Sequence, residues 1–134
     1  MAPRFLLDTN TASYIIKGNN PGVERRLSKV PISDVALSVI SEAELRFGVA
    51  RLPQARRLPE LVENFLSLVT VLPWDSDCAR SYGALRAMLE REGRTMGNLD
   101  MMIAAHALAT GLTLITSDRA FSRIRRLRVE NWAD

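Results

Sequence analysis

The stretch FLLDTN, residues 5–10, places three apolar residues directly before a carboxylate, Asp8. The apolar run is typical of a short buried β-strand. A charge at the edge of an apolar core costs free energy unless another group pairs with it. Both the fold and the function of this chain therefore depend on what lies beside Asp8.

Length and composition indicate one ordinary globular domain. The chain has 134 residues, of which 47% are hydrophobic and 25% charged, a balance that excludes a disordered protein. Its single cysteine, Cys78, excludes an intrachain disulfide and suits a reducing compartment. We therefore expect one domain over residues 1–134 and a cytoplasmic location.

Neither apolar segment of note predicts a signal peptide or a membrane span. The run at residues 5–7 is too short for the apolar region of a secretory signal. Residues 101–117 are uncharged, but they contain His106 and fall short of the roughly 20 apolar residues that a span needs. Gly111 divides this run into a helix and a strand, so we interpret it as core and expect no contact with a membrane.

Strand-like and helix-like segments alternate along the whole chain. The strands are predicted at residues 5–7, 34–40, 69–74, 112–116 and, as a short fifth strand, 127–131. The helices are predicted at residues 9–17, 23–29, 41–51, 56–68, 75–93 and 98–110. Such alternation predicts an α/β fold with a parallel sheet of about five strands, covered by helices on both faces.

Acidic residues recur where these strands end or the next helices begin. Ligands bind parallel sheets outside the carboxyl ends of their strands, so these acids can converge if strands one, two and four are neighbours. Glu42 and Glu44 are about 200° apart around a helix, so only one of them can face such a cleft. The candidates are Asp8, Glu42, Glu44, Asp100 and Asp118.

Several carboxylates in one cleft repel one another, and a hard divalent cation relieves that repulsion. Carboxylate oxygens without a nearby Cys or His cluster suit Mg²⁺ or Mn²⁺. Each acid also has a purely structural interpretation: Asp8 and Asp118 can cap helices, and Asp100 can simply stabilise a helix N-terminus. The simultaneous presence of acids at all these positions favours a metal site.

Four segments, in order and spacing, resemble the PIN-domain ribonucleases of VapC type, the toxins of toxin–antitoxin pairs. They are FLLDTN, VISEAELRFGV, NLDMMIAAHAL and LITSDRAFSRI, the last followed by LRVENW, and together they extend from Phe5 to Trp132. The resemblance implies a PIN-like fold and hydrolysis of RNA phosphodiester bonds that depends on Mg²⁺ or Mn²⁺. It assigns the catalytic acids to Asp8, Glu44, Asp100 and Asp118.

Within this set we expect Asp8 and Asp100 to be metal ligands, with Glu44 and Asp118 holding metal-bound waters or a second ion. Many relatives carry another acid or amide just before the Phe, where this chain has Ala120, so a second ion would be held more weakly. His106 lies about 240° around its helix from Asp100, which predicts a packed or capping histidine.

Neighbouring polar residues are predicted to support the acids or contact the substrate. Asn10 can hydrogen-bond Asp8, a phosphate or a metal-bound water, or can simply form the turn at the helix start. Thr116 and Ser117 can orient Asp118 or contact phosphate. The supporting candidates are Thr9, Asn10, Thr116, Ser117, Arg119 and Arg123.

Sixteen of the 18 basic residues are arginine, and the net charge is +3. Arginine suits phosphate, and five arginines follow Asp118, but a solvated basic surface explains the same composition. If these residues flank the cleft, they bind RNA. The five are Arg119, Arg123, Arg125, Arg126 and Arg128.

The resemblance also implies partners. It predicts a small VapB-like antitoxin and a homodimer, for which residues 58–68 offer an apolar face or part of the protein's own core. We expect packing roles for Phe47, Phe121 and Tyr14, and core or rim positions for Trp74 and Trp132.

Three other functions fit parts of the sequence. An aspartyl phosphotransferase of the dehalogenase type needs an acid where Asn10 stands. A nucleic-acid-binding regulator without catalysis explains the positive charge but not the acidic positions. An RNA-processing PIN nuclease without antitoxin control satisfies the same motifs.

Overall fold

Five short strands and six α-helices alternate along the chain in a computed structural model, which describes residues 2–134. The strands are β1 Phe5–Leu7, β2 Val35–Ser38, β3 Thr70–Leu72, β4 Thr113–Ile115 and β5 Val129–Glu130. The helices are α1 Thr9–Lys17, α2 Pro21–Leu27, α3 Val39–Ala50, α4 Leu58–Leu68, α5 Ser76–Arg91 and α6 Asn98–Thr110. Short 3-10 turns occupy Ile32–Asp34 and Arg119–Arg123.

The strands form one sheet in the order β3-β2-β1-β4-β5, and every neighbouring pair is parallel. The first strand of the chain is therefore the central one: Leu6 is level with Ala36 of β2 and with Leu114 of β4. This confirms the predicted α/β class and the five-stranded parallel sheet. It also makes β1, β2 and β4 neighbours, which the convergence of the acidic residues requires.

Helices cover both faces of the sheet, which explains why β1 and β2 are apolar without alternation. Phe5 and Leu7 face a core that includes α1, α2 and α4, whereas Leu6 faces the core built by α5 and α6. Trp132 is almost fully buried and meets Phe5 edge to face at 5.3 Å between ring centroids. Within residues 2–134, no helix combines the length and hydropathy that a membrane crossing requires.

Two helices begin earlier than predicted. Helix α3 begins at Val39 because Ser38, not Ser41, is its cap: Ser38 Oγ accepts a hydrogen bond from the Ile40 N–H at 3.1 Å. The second strand consequently ends at Ser38 rather than at residue 40. Helix α2 begins at Pro21 rather than Val23, with Asn20 as its cap.

The structure shows which residues begin two helices, and one predicted packing role was wrong. Asp8 caps α1, one of the two roles considered for it, and α6 begins at Asn98, after Gly97. Phe47 is 65% exposed and so does not pack in the core, whereas Phe121 is buried as predicted. Helix α4 buries Val62 and Phe65 against the protein's own core but leaves Leu68 exposed.

Candidate active site

Asp8 stands at the carboxyl end of the central strand, held by two backbone contacts. Its N–H donates to the Ile115 carbonyl of β4 at 2.9 Å, and its Oδ1 accepts from the Thr11 N–H at 2.8 Å as the cap of α1. The side chain is only 5% exposed in total, yet no Arg or Lys in residues 2–134 pairs with it. A fixed and nearly buried carboxylate without a protein cation suits binding of an external one.

Glu44 is tied to the start of α1 by a hydroxyl. Thr9 Oγ1 donates to Glu44 Oε1 at 2.7 Å and is also hydrogen-bonded with Ser41 Oγ at 2.9 Å. Ser41 is fully buried, so this chain of contacts fixes α3 against the residue that follows Asp8. The glutamate side chain is therefore oriented before any ligand arrives.

Glu42, two residues earlier on the same helix, is neutralised elsewhere. Its carboxylate receives a hydrogen bond from Arg46 at 2.7 Å, and Arg46 also contacts Glu63 of α4 at 2.8 Å. Of the two candidate glutamates, only Glu44 contacts Thr9. The helical rotation between neighbouring glutamates separates them as expected.

Asp100 lies in the first turn of α6, half-buried. Burial raises the pKa of its carboxyl group, and repulsion from Asp118, Glu44 and Asp8 raises it further. Three carboxylates from distant parts of the chain thus act electrostatically on the fourth. We call Asp8, Glu44, Asp100 and Asp118 the acidic cluster.

Asp118 completes the cluster from the end of β4. Its Oδ1 accepts from the Ala120 N–H at 2.9 Å, and its own N–H donates to Thr116 Oγ1 at 3.0 Å. Thr116 is buried and bonded to the Glu130 carbonyl of β5, so it anchors this loop to the sheet. Ala120 supplies a backbone donor here but no side-chain oxygen.

The charges of the acidic cluster are uncompensated by protein cations in residues 2–134, whereas seven ion pairs neutralise acids elsewhere. In the same residues no three His, Cys, Asp or Glu side chains are already spaced to hold an ion. The donor set still fits Mg²⁺ or Mn²⁺, because all four donors are carboxylates and Mg²⁺ keeps several waters while using few protein ligands.

Comparisons with known proteins identify the family. The family profile described as PIN domain matches residues 5–127. This chain belongs to the PIN domain family. Its relatives include proteins called tRNA(fMet)-specific endonuclease VapC, from Salmonella typhimurium and from Shigella flexneri. The first is 38% identical over 96% of this chain and 98% of the relative, and the second is 35% identical over 97% and 98%.

Solved PIN structures superpose on nearly the whole chain. DNA-bound VapBC from Salmonella typhimurium matches with a TM-score of 0.90 and 36% identity, covering 97% of this chain and 98% of that one. VapBC2 from Rickettsia felis, bound to a DNA fragment from its promoter, matches with a TM-score of 0.88 and 33% identity over 96% and 98%. The PIN fold predicted from the motifs is confirmed.

Among residues 2–134, the remaining predicted residues of this PIN domain form no side-chain hydrogen bond or ion pair with the acidic cluster. Asn10 and Ser117 are exposed, and Asn10 makes no side-chain hydrogen bond to Asp8. Arg119 and Arg123 are exposed and form no ion pair with any residue from 2 to 134. Trp74 is half-buried, and its Nε1 donates to the Met102 carbonyl at 2.9 Å.

A buried contact between Ser38 and His106 joins the two helices that carry Glu44 and Asp100. His106 Nδ1 lies 2.7 Å from Ser38 Oγ, and both side chains are at most 1% exposed. Burial lowers the pKa of His106, so the ring is neutral at pH 7. His106 is the packed histidine that was predicted, but its partner was missed because two serines in LSVIS can each cap a helix.

Proposed function

We propose that this PIN domain, residues 1–134, is a metal-dependent endoribonuclease and the toxin of a VapBC-type pair. The observation that carries the proposal is the acidic cluster: four carboxylates from four segments, at the carboxyl edge of the sheet, that pair with no cation among residues 2–134. The VapC names of full-length relatives support RNA as the substrate.

Asp8 and Asp100 would hold the ion, and Glu44 and Asp118 would hold its waters or a second ion. A bound Mg²⁺ or Mn²⁺ supplies a water of lowered pKa and stabilises charge on the leaving oxygen. Thr9 keeps the Glu44 carboxylate oriented, and the Thr116 hydroxyl keeps Asp118 at the end of β4. Arg119 and Arg123 lie on the 3-10 turn after Asp118, and they would bind RNA phosphates.

The partners follow from the same relatives. Solved neighbours are complexes named VapBC, from Rickettsia felis, Salmonella typhimurium and nontypeable Haemophilus influenzae. We infer a small VapB-like antitoxin for this chain and a homodimer of the nuclease. The other candidate in the same family, a processing nuclease without antitoxin control, keeps the chemistry and differs only in regulation.

The test of the chemistry uses purified protein and total RNA, with the new ends sequenced. We expect cleavage in Mg²⁺ or Mn²⁺, none in EDTA, and none by Asp8→Asn in either ion. Ends that carry 5′-phosphate and 3′-hydroxyl groups are expected from hydrolysis by water. Cleavage that persists in EDTA contradicts the metal-dependent mechanism, and binding without cleavage in Mg²⁺ favours the non-catalytic regulator.

The test of regulation uses growth. Expression of the wild type is expected to arrest cells, and co-expression of a small neighbouring open reading frame is expected to restore growth. Asp8→Asn, expressed to the same level, is the matched control and should not arrest growth. A nuclease that is active in vitro but never toxic favours the processing enzyme.

A further inference from the structure

A second concave surface lies outside the acidic cluster, and none of the four acids lines it. It is a groove of about 520 Å³ between α5, α6 and the segment after the 3-10 turn. Its floor is apolar and its rim carries two arginines. The floor contains Leu85, Met88, Leu108 and Ile124, and the rim contains Arg125 and Arg126. We call it the arginine-rimmed groove.

The backbone at this rim is in an unusual conformation. Arg126 has φ 71°, and it is the one non-glycine residue with positive φ in the described part of the chain. A bulky side chain in this region is strained, whereas glycine adopts it freely. Strained backbone of this kind clusters at ligand-binding sites. The long, positively charged side chain of Arg126 is therefore a candidate for binding a ligand.

The arginines near the groove carry uncompensated charge. Arg80 and Arg86 on α5 are paired with Asp77 and Glu90. By contrast, the arginines that follow Asp118 are exposed and form no ion pair within residues 2–134. These are Arg119, Arg123, Arg125, Arg126 and Arg128. The described chain from Asp118 to the groove therefore carries positive charges that no acid pairs with, and this favours a polyanion as the ligand.

The groove is within reach of an RNA bound at the acidic cluster. Asp100 and Leu108 lie on the same helix, eight residues apart, which corresponds to about 12 Å at 1.5 Å per residue. Stacked nucleotides advance by about 3.4 Å each, so this distance corresponds to roughly three or four nucleotides.

We propose that the arginine-rimmed groove holds an unpaired base of the RNA substrate, three or four nucleotides from the cut, with the adjacent phosphates on Arg125 and Arg126. This inference rests on the proposed ribonuclease function. A base presents a flat apolar face and its backbone a negative charge, which match the floor and the rim respectively. Neither the apolar floor nor the strained arginine has a role in metal-dependent hydrolysis itself.

The experiment compares two RNAs that share a cut site. One has two nucleotides on each side of the cut and the other has eight. We expect the wild type to prefer the longer RNA by about 10-fold in kcat/KM, since one base buried against apolar side chains and two phosphate contacts supply that much. The Arg125→Gln, Arg126→Gln double variant should lose this preference through KM. Arg25→Gln, an exposed arginine on α2, is the matched control and should keep it.

Two further measurements separate binding from folding. Arg126→Gly should unfold at the same temperature as the wild type or higher, because the strain is relieved, yet bind the longer RNA less well. The salt dependence of RNA binding to the Asp8→Asn protein should weaken by about one unit in slope for each arginine removed.

Equal losses on both RNAs, or no loss, overturn the groove proposal while leaving the nuclease intact. If the double variant alters only the oligomeric state or antitoxin binding, the groove is a protein interface and the RNA proposal is wrong. A wild type that cuts neither RNA is a failure of the proposed function instead, and binding to Asp8→Asn still tests the groove.

Discussion

Asp8 and Asp34 are the two buried aspartates of this protein's described residues, and they flank neighbouring strands at opposite ends of the sheet. Asp34 precedes β2, is 6% exposed, and receives a hydrogen bond from the Arg4 guanidinium at 3.2 Å. Asp8 follows β1, is 5% exposed, and has no such partner among residues 2–134. Equal burial with unequal compensation distinguishes Asp34, which is paired within the fold, from Asp8, which we propose binds a metal ion.

The largest effect is expected when the charge of Asp8 is removed in one variant and the charge of Asp34 is removed in another. Asp8→Asn should reduce RNA cleavage by about 10³-fold or more, because a ligand worth several kcal/mol in the transition state is lost. Asp34→Asn should leave cleavage within about 2-fold, and should cost at most ~1 kcal/mol of unfolding free energy, since Arg4 is largely exposed. Single-turnover cleavage and urea unfolding measure both. The comparison fails if Asp34→Asn is the more damaging to cleavage.

Glu42 and Glu44 of α3 also differ in whether the carboxylate pairs with an arginine. Glu44→Gln should lower cleavage by about 10²-fold, since it removes a charge that acts at the metal site. Glu42→Gln should lower it less than 2-fold, because that carboxylate is engaged with Arg46 on an exposed surface. Cleavage rates at saturating Mg²⁺ decide the order, and the reverse order would show that the wrong glutamate has been assigned.

A hydroxyl substitution tests whether orientation matters as well as charge. Thr9→Val removes the hydrogen bond to Glu44 and should lower cleavage by about 10-fold, the loss expected for one hydrogen bond to a charged group. Thr9→Ser keeps the hydroxyl and should recover most of the rate. If valine and serine behave alike, the contact is dispensable and Glu44 is positioned by its helix alone.

The smallest effect is on stability and depends on pH. The pKa of Asp100 is raised by burial and by the other three carboxylates, so ionising it opposes folding. Without metal, Asp100→Asn should therefore unfold at a higher temperature than the wild type at pH 8. The difference should shrink as the pH falls and vanish below the ordinary aspartate pKa of 3.8, where Asp100 is protonated in both states. Thermal unfolding in EDTA across this range is the measurement.

Added Mn²⁺ should bind the folded wild type and raise its unfolding temperature above that of Asp100→Asn. A wild type whose unfolding temperature is unaffected by Mn²⁺, at concentrations that support cleavage, would argue against Asp100 as a ligand.

The order of strands and helices was accessible from sequence because each element has its own apolar period and its own stop signal. The run at residues 34–40 was read correctly as a strand covered on both faces, but its end was not. Ser38 and Ser41 are both able to cap a helix, and the choice is made by His106, which lies 68 residues away and contacts Ser38. A single sequence does not contain that information.

Each acidic residue could be identified from the sequence. Which of them pairs with an arginine could not. Helical rotation separates Glu42 from Glu44, but the engagement of Arg46 with Glu42 and Glu63 depends on how α3 meets α4. Similarly, Phe47 was expected to pack from its residue type alone and is instead 65% exposed on α3. Tertiary context decides such positions.

The central strand, β1, is synthesised first, but the strands that pair with it come from later parts of the chain. β1 needs β2 on one side and β4 on the other, and the backbone bond from Asp8 to Ile115 spans more than 100 residues. Contacts of such separation form slowly and after local helices. A nascent or truncated chain that lacks β4 has an open sheet edge, no Asp118 and an unanchored Asp8. If the acidic cluster is the catalytic site, fragments and early intermediates are therefore expected not to cut RNA, and the order of synthesis protects the cell.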